Sequence, residues 1–181
     1  MHEVLTSEVN NKIDFENFTL KKLLVGNYLK PKVGKNLSPI VFINLCVDSK
    51  KDQIITLKAL LDTGATSTII KSKFVTKLDK RQCEPTAWKT ANGYFETHEK
   101  VKTEFLIPEL NDQRLITADM HETQQNMPYD LIIGIDLLKE LGIDILNSKL
   151  TIKWDESETP FKDRSIKLNK AIQLEEEPEH V

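Results

Sequence analysis

The sequence predicts an all-β domain that carries one short helix. Three observations predict it. Short β-rich runs recur between clusters of turn residues, an Asn-Gly pair sits between two extended arms, and only one stretch shows both helix boundaries. Ile40 to Val47 is β-rich, Asp48 to Asp52 is a polar turn, and Gln53 to Leu61 is β-rich again, which predicts a hairpin. Asp62-Thr63-Gly64 interrupts the run, and Thr66 to Ile70 resumes a β-branched, extended stretch. Asn92-Gly93 predicts a second hairpin, with arms from Thr86 to Thr90 and from Tyr94 to His98, because a type I′ turn needs positive φ at both central residues.

Further strands are expected at Lys102 to Ile107 and Arg114 to Met120, with Asn111-Asp112 as the turn between them. Leu131-Ile132-Ile133 is a short apolar run of the kind a buried strand makes. Asp136 is placed to cap a helix through Leu137 to Leu141, and Gly142 is placed to stop it. Ile143 to Leu146 and Leu150 to Trp154 flank Asn147-Ser148 as a last hairpin. The expected organisation is an N-terminal extension over 1–39, a folded domain over 40–155, and a linker with an acidic tail over 156–181, where Glu175 to Glu179 is a like-charge run broken by proline.

Composition excludes several classes of function. The chain has 181 residues and a net charge of −3, with its lysines scattered, so no nucleic-acid partner is expected. The two cysteines, Cys46 and Cys83, and the four histidines lack metal-ligand spacing, so neither a metal nor a cofactor is expected. Cys46 lies in an apolar run and is expected to be a small buried hydrophobe. No apolar run approaches the ~20 residues that span a bilayer, and Met1-His2-Glu3 has none of the regions of a signal peptide. No membrane partner is therefore expected, and the expected compartment is the cytoplasm or the inside of a particle, with thiols reduced.

The chemistry-bearing segment is Leu60-Leu61-Asp62-Thr63-Gly64-Ala65-Thr66. Its plain reading is a strand running into a turn, where Asp, Thr and Gly are all common. Its chemical reading is a carboxylate at the edge of an apolar core, where desolvation disfavours charge. Two such groups brought together share one proton, so one acts as base and the other as acid. They can then activate water against an amide without a covalent intermediate. The second segment, Tyr129 to Leu138, has its own plain reading as a buried strand feeding a helix.

Together, in this order and about seventy residues apart, the two segments closely resemble the retropepsin family of aspartic proteases. The resemblance covers Ile40 to Trp154 and implies a small closed β-barrel-like fold. Ala65-Thr66, Thr90-Ala91-Asn92-Gly93, and Leu150 to Asp155 followed by Pro160-Phe161 look most like proteases of gypsy-type long-terminal-repeat retrotransposons. Retroviral members commonly carry Asp where this chain has Thr66 and Arg where it has Ile135, a salt-bridged pair that is absent here as a pair.

The resemblance also assigns roles. Asp62 is the catalytic carboxylate, within an active-site loop of Thr63, Gly64 and Ala65. Asp-Thr-Gly occurs once, so the active form is expected to be a twofold homodimer with one Asp62 from each copy and Thr63 bracing the two loops. Leu60 and Ile132 line the substrate pockets, and Thr90, Ala91, Asn92 and Gly93 form the tip of a flap over an extended peptide, although the same hairpin also reads as a plain surface turn. Trp88 and Tyr94 shape that flap or pack as ordinary strand residues, and Trp154 fills the core or the dimer interface. The implied substrate is a Gag-Pol polyprotein. The alternatives are a cellular, domesticated retropepsin and a non-catalytic dimerisation module that keeps the fold.

Overall fold

The computed structural model describes residues 3–6, 36–48 and 50–167. In chain order the strands are β1 (Glu3–Thr6), β2 (Leu37–Ser38), β3 (Ile40–Asp48), β4 (Gln53–Leu61), β5 (Ile69–Lys71), β6 (Lys80–Thr90), β7 (Gly93–Ile107), β8 (Asn111–Thr123) and β9 (Leu131–Ile133). Then come helix α1 (Ile135–Leu141) and strands β10 (Ile143–Leu146), β11 (Thr151–Trp154), β12 (Ser157–Pro160) and β13 (Lys162–Asp163). A 3-10 turn covers Ser72–Phe74.

Six strands close on themselves. The order runs β8-β5-β9-β4-β3-β7, and β7 pairs back onto β8. Closure removes the exposed edges that an open sheet of this size leaves. Among the described residues the chain adopts the expected all-β architecture with one short helix. Alternation explains the filling of the barrel. Leu57, Ala59 and Leu61 of β4 turn inward, and Val41, Ile43 and Leu45 of β3 meet them in the main core, while Cys46 faces the other way into a small cluster with Leu106. Cys46 is buried, as its apolar neighbours lead one to expect, and burial pushes its thiol pKa up.

The β3–β4 hairpin, the strand Leu131–Ile133 and the β10–β11 hairpin lie where the sequence placed them. Other expectations change. Tyr94–His98 and Lys102–Ile107 are one fifteen-residue strand, because nothing between them breaks the ladder onto β6 and β8. The turn after β7 uses residues 108–110, and Asn111 opens β8 instead of turning; its Oδ1 accepts the N–H groups of Gln113 and Arg114. Of the stretch Thr66 to Ile70, only Ile69 and Ile70 are strand, and 66–68 is loop.

The second hairpin forms, but not through a type I′ turn at Asn92-Gly93. Thr90 pairs with Gly93, so the turn residues are Ala91 and Asn92. Gly93 takes the positive φ, at 120°, and Asn92 is not among the described residues with positive φ. Likewise Asp136 does not cap α1. Gly134 occupies that position without a side-chain bond, and Asp136 lies in the first turn. Gly142 ends the helix at φ 73°, its N–H reaching the carbonyls of Leu138 and Lys139.

Strand structure continues beyond the expected boundary at 155. β12 pairs with β11, and β13 pairs with β2 at Lys162↔Ser38. Phe161 is buried in the main core. Lys162, 2% exposed, places its Nζ 2.6 Å from Oε2 of Glu109, 8% exposed, and 2.8 Å from the carbonyl of Ile40. A buried amine needs such partners, and these come from the β7–β8 turn and the start of β3. At the other end, 3–6 pairs with β8 and 36–39 joins the body, while the rest of the expected extension and the run Glu175 to Glu179 lie outside the described residues.

Candidate active site

Strand β4 delivers Asp62. Its pairing with β9 is parallel, at Ala59↔Leu131, Leu60↔Ile132 and Leu61↔Ile133. Ala59, Leu61, Leu131 and Ile133 are buried, so the intervening Leu60 and Ile132 lie side by side on the opposite, half-buried face. The two residues assigned to substrate pockets are thus neighbours. Past Leu61 the ladder continues for one bond, Asp62 N–H to the Ile133 carbonyl at 2.9 Å. The chain then turns: the N–H of Gly64 donates to Oδ1 of Asp62 at 2.8 Å, and the N–H of Ala65 donates to the Asp62 carbonyl at 3.2 Å. A Cβ on Gly64 would lie 3.1 Å from that same Oδ1, so the absence of a side chain helps the amide reach the carboxylate.

The loop is fastened to the start of α1. Ile135 N–H donates to the carbonyl of Ala65 at 2.8 Å. Thr68, fully buried, donates its hydroxyl to Oδ1 of Asp136 at 2.8 Å and its N–H to Oδ2 at 3.1 Å, while its Oγ1 accepts the N–H of Gly134 at 3.0 Å. Gly134 leaves no room for a side chain, since an added Cβ would stand 2.5 Å from the carbonyl oxygen of Ser67 and 2.9 Å from that of Ala65. The segments that carry Thr66 and Ile135 are held together by that backbone bond and by the threonine–aspartate clasp. Sequence reasoning missed this clasp. Thr68 lay in a β-branched run read as strand, and Asp136 was read as a cap.

Asp62 is half-buried in the single chain, so the desolvation expected from its apolar strand is incomplete there. Thr63 and Gly64 are exposed. A cleft of about 960 Å³ opens beside them, lined among others by Leu60, Asp62, Thr63, Ile135, Leu138 and Ile143. Ile132 and the hairpin tip Thr90 to Gly93 are not part of that lining. Strand β10, which forms one wall, pairs only with β11 in its three-stranded sheet, leaving its other edge open among the described residues. Lys58 braces the far rim. Its backbone N–H donates to Asp130 Oδ2 at 2.9 Å, its amine donates to the Arg164 carbonyl, and burial pushes its pKa down while Asp130 opposes the shift. Trp154 is core, not cleft: it is fully buried and donates its indole N–H to the Leu141 carbonyl at the end of α1, at 2.8 Å.

The β6–β7 hairpin extends from the barrel, where β7 pairs with β3 and β8. Its exposed tip holds Thr90 to Gly93, and Tyr94 is 75% exposed. Trp88 stacks on Phe95 with centroids 5.9 Å apart. Between Gln82 and Thr86 the ladder slips, three residues including Pro85 facing one.

Comparison with known proteins fits this geometry. The family described as retroviral aspartyl protease matches residues 36–146. The retroviral protease-like domain of Ddi1 from Leishmania major aligns with 73% of this chain and 98% of its own, at 19% identity and a TM-score of 0.47. EIAV protease, in complex with the inhibitor HBY-793, aligns with 64% of this chain and 98% of its own, at 20% identity and a TM-score of 0.45. No curated protein matches the sequence.

Proposed function

We propose a function from one premise: the chain belongs to the retroviral aspartyl protease family. It is an aspartic endopeptidase, active as a twofold homodimer in which each copy contributes Asp62. The observation that carries this reading is the setting of Asp62. Its carboxylate is held by the Gly64 amide at the end of a buried strand, yet it opens onto a cleft with an exposed threonine beside it. One chain supplies one such group, and the chemistry needs two.

In the dimer the paired carboxylates hold a water between them. The ionised member takes a proton as the water oxygen attacks the scissile carbonyl carbon. The protonated member then gives its proton to the departing amide nitrogen, and the tetrahedral intermediate collapses to a carboxylic acid and an amine. The open edge of β10 and the exposed Thr63 are the surfaces that meet the second copy. An extended peptide lies as an added strand against Leu60 and Ile132, beneath the hairpin tip from Thr90 to Gly93. The natural substrate is a Gag-Pol polyprotein of a gypsy-type element, cut in the cytoplasm or within virus-like particles.

The test compares the wild-type chain with Asp62→Asn on a mixed peptide library at mildly acidic pH, with and without a statine inhibitor, and follows both by sedimentation. Cleavage should fall by about 10²-fold or more in the variant, with the dimer retained. Equal cleavage by both proteins would sink the mechanism. A wild-type dimer that cuts nothing would make the chain a binding module that has kept the fold.

A further inference from the structure

The imidazole of His121 is a buried polar group that this reading leaves unused. It lies on β8, 4% exposed, with Nδ1 2.9 Å from Oγ1 of Thr97 on β7. That same oxygen accepts the indole N–H of Trp88 on β6, also at 2.9 Å, and the Trp88 ring meets His121 edge-on at 5.4 Å. The indole can only donate. Thr97 therefore spends one lone pair on Trp88, which leaves its own hydrogen to be donated and Nδ1 within reach to accept it. With the Thr97 hydrogen donated to Nδ1, the imidazole is neutral and carries its proton on Nε2. The backbone N–H of His121 donates to the carbonyl of Thr68 at 3.0 Å, and Thr68 is clasped to Asp136.

We propose that His121 is a positioning residue for the flap hairpin: as a neutral acceptor it fixes the Thr97 hydroxyl and, through it, Trp88, tying the outer part of β6–β7 to the strand that abuts the active-site loop. The flap role of the hairpin rests on the protease reading above; the relay itself does not.

Protonation reverses the relay. Nδ1 then carries hydrogen toward Thr97, and the threonine hydrogen loses its acceptor in a buried place. The groups facing His121 set when this happens. Burial holds its pKa below the usual 6.5, Lys100, directly across the ladder on β7, pushes the same way, and Asp136 of α1 opposes them. β6 presents Trp88 and β5 presents Ile69, both uncharged. Glu122, next on β8, turns to the other face with Lys80 and Glu99. The folded pKa is depressed, so the stabilising relay is complete above pH 6.5 and is lost as pH falls through the folded value.

Two measurements on the full chain test this. Nitrogen-15 NMR of the histidines should show His121 as the Nε2–H tautomer at neutral pH; protonation at Nδ1 there overturns the proposal. Exchange of the Trp88 indole hydrogen should be about fivefold faster in His121→Leu at pH 7. In His121→Asn, whose carbonyl takes the place of Nδ1 without titrating, it should match wild type at pH 7 and stay slower than wild type below the His121 transition. Identical exchange in all three proteins also overturns the proposal. If the peptides are cut, KM should rise in wild type on the acid side and hold steady in His121→Asn. If no peptide is cut by any of them, the protease reading fails while the tautomer and exchange results still judge the relay.

Discussion

The floor of the site and the hairpin beside it are built from the same material and held in opposite ways. The floor, 62–68 against 131–136, is fixed by backbone bonds from Ile133, Ala65 and Gly134, by a fully buried threonine, and by a glycine with no space around it. The hairpin has its ladder, one aromatic stack and one side-chain relay through Trp88 and Thr97, and beyond Trp88 its residues are open to solvent. A slip in the ladder at Cys83 to Pro85 interrupts the pairing on the barrel side of that relay. The contrast teaches where accuracy is needed. If Asp62 reacts as proposed, it tolerates little displacement, and its loop is overdetermined to match. The proposed flap, which would have to let a peptide in and out, is drawn from the loosely held end of the stability range.

Substitutions on each side can break or sharpen that contrast. Gly134→Ala should have the largest effect, since its methyl group meets two rigid carbonyls. A loss of about 3 kcal/mol in urea unfolding is expected, and a loss under about 0.5 kcal/mol would mean the floor is softer than its geometry says. Thr68→Val keeps the shape but leaves the Gly134 amide and the Asp136 carboxylate short of a partner. It should cost about 1–2 kcal/mol, with cleavage falling alongside stability. Asn92→Ala at the exposed tip should stay within about 0.5 kcal/mol of wild type. If instead it destabilised as much as Thr68→Val, the hairpin would be no looser than the floor.

Much of this was legible in the sequence because it is local. The β3–β4 hairpin follows from two β-rich runs around a polar turn, β9 from three apolar residues in a row, and the end of α1 from Gly142. Asp62 stood out for its context, and its neighbours Leu60 and Ile132 do share a face. What escaped is what depends on distant partners. Asp136 has the sequence of a cap and the job of a clasp, because Thr68 arrives from the far side of the loop. His121 and Thr97 carry no motif; only the pairing of β6, β7 and β8 brings them to Trp88. The length of β7 was hidden because its outer half is polar and its inner half apolar, which looks like two strands.

The lysine at 162 has a practical consequence for anyone who cuts this domain from its chain. By composition the folded part seems to finish at Asp155, and a clone or a protease cut placed there looks harmless. Such a fragment would keep the buried Glu109 side chain and discard the amine paired with it, along with the Phe161 ring that helps seal the core. The domain reaches at least as far as this last buried charge among the described residues, and a fragment meant to behave like the whole has to carry that charge with it.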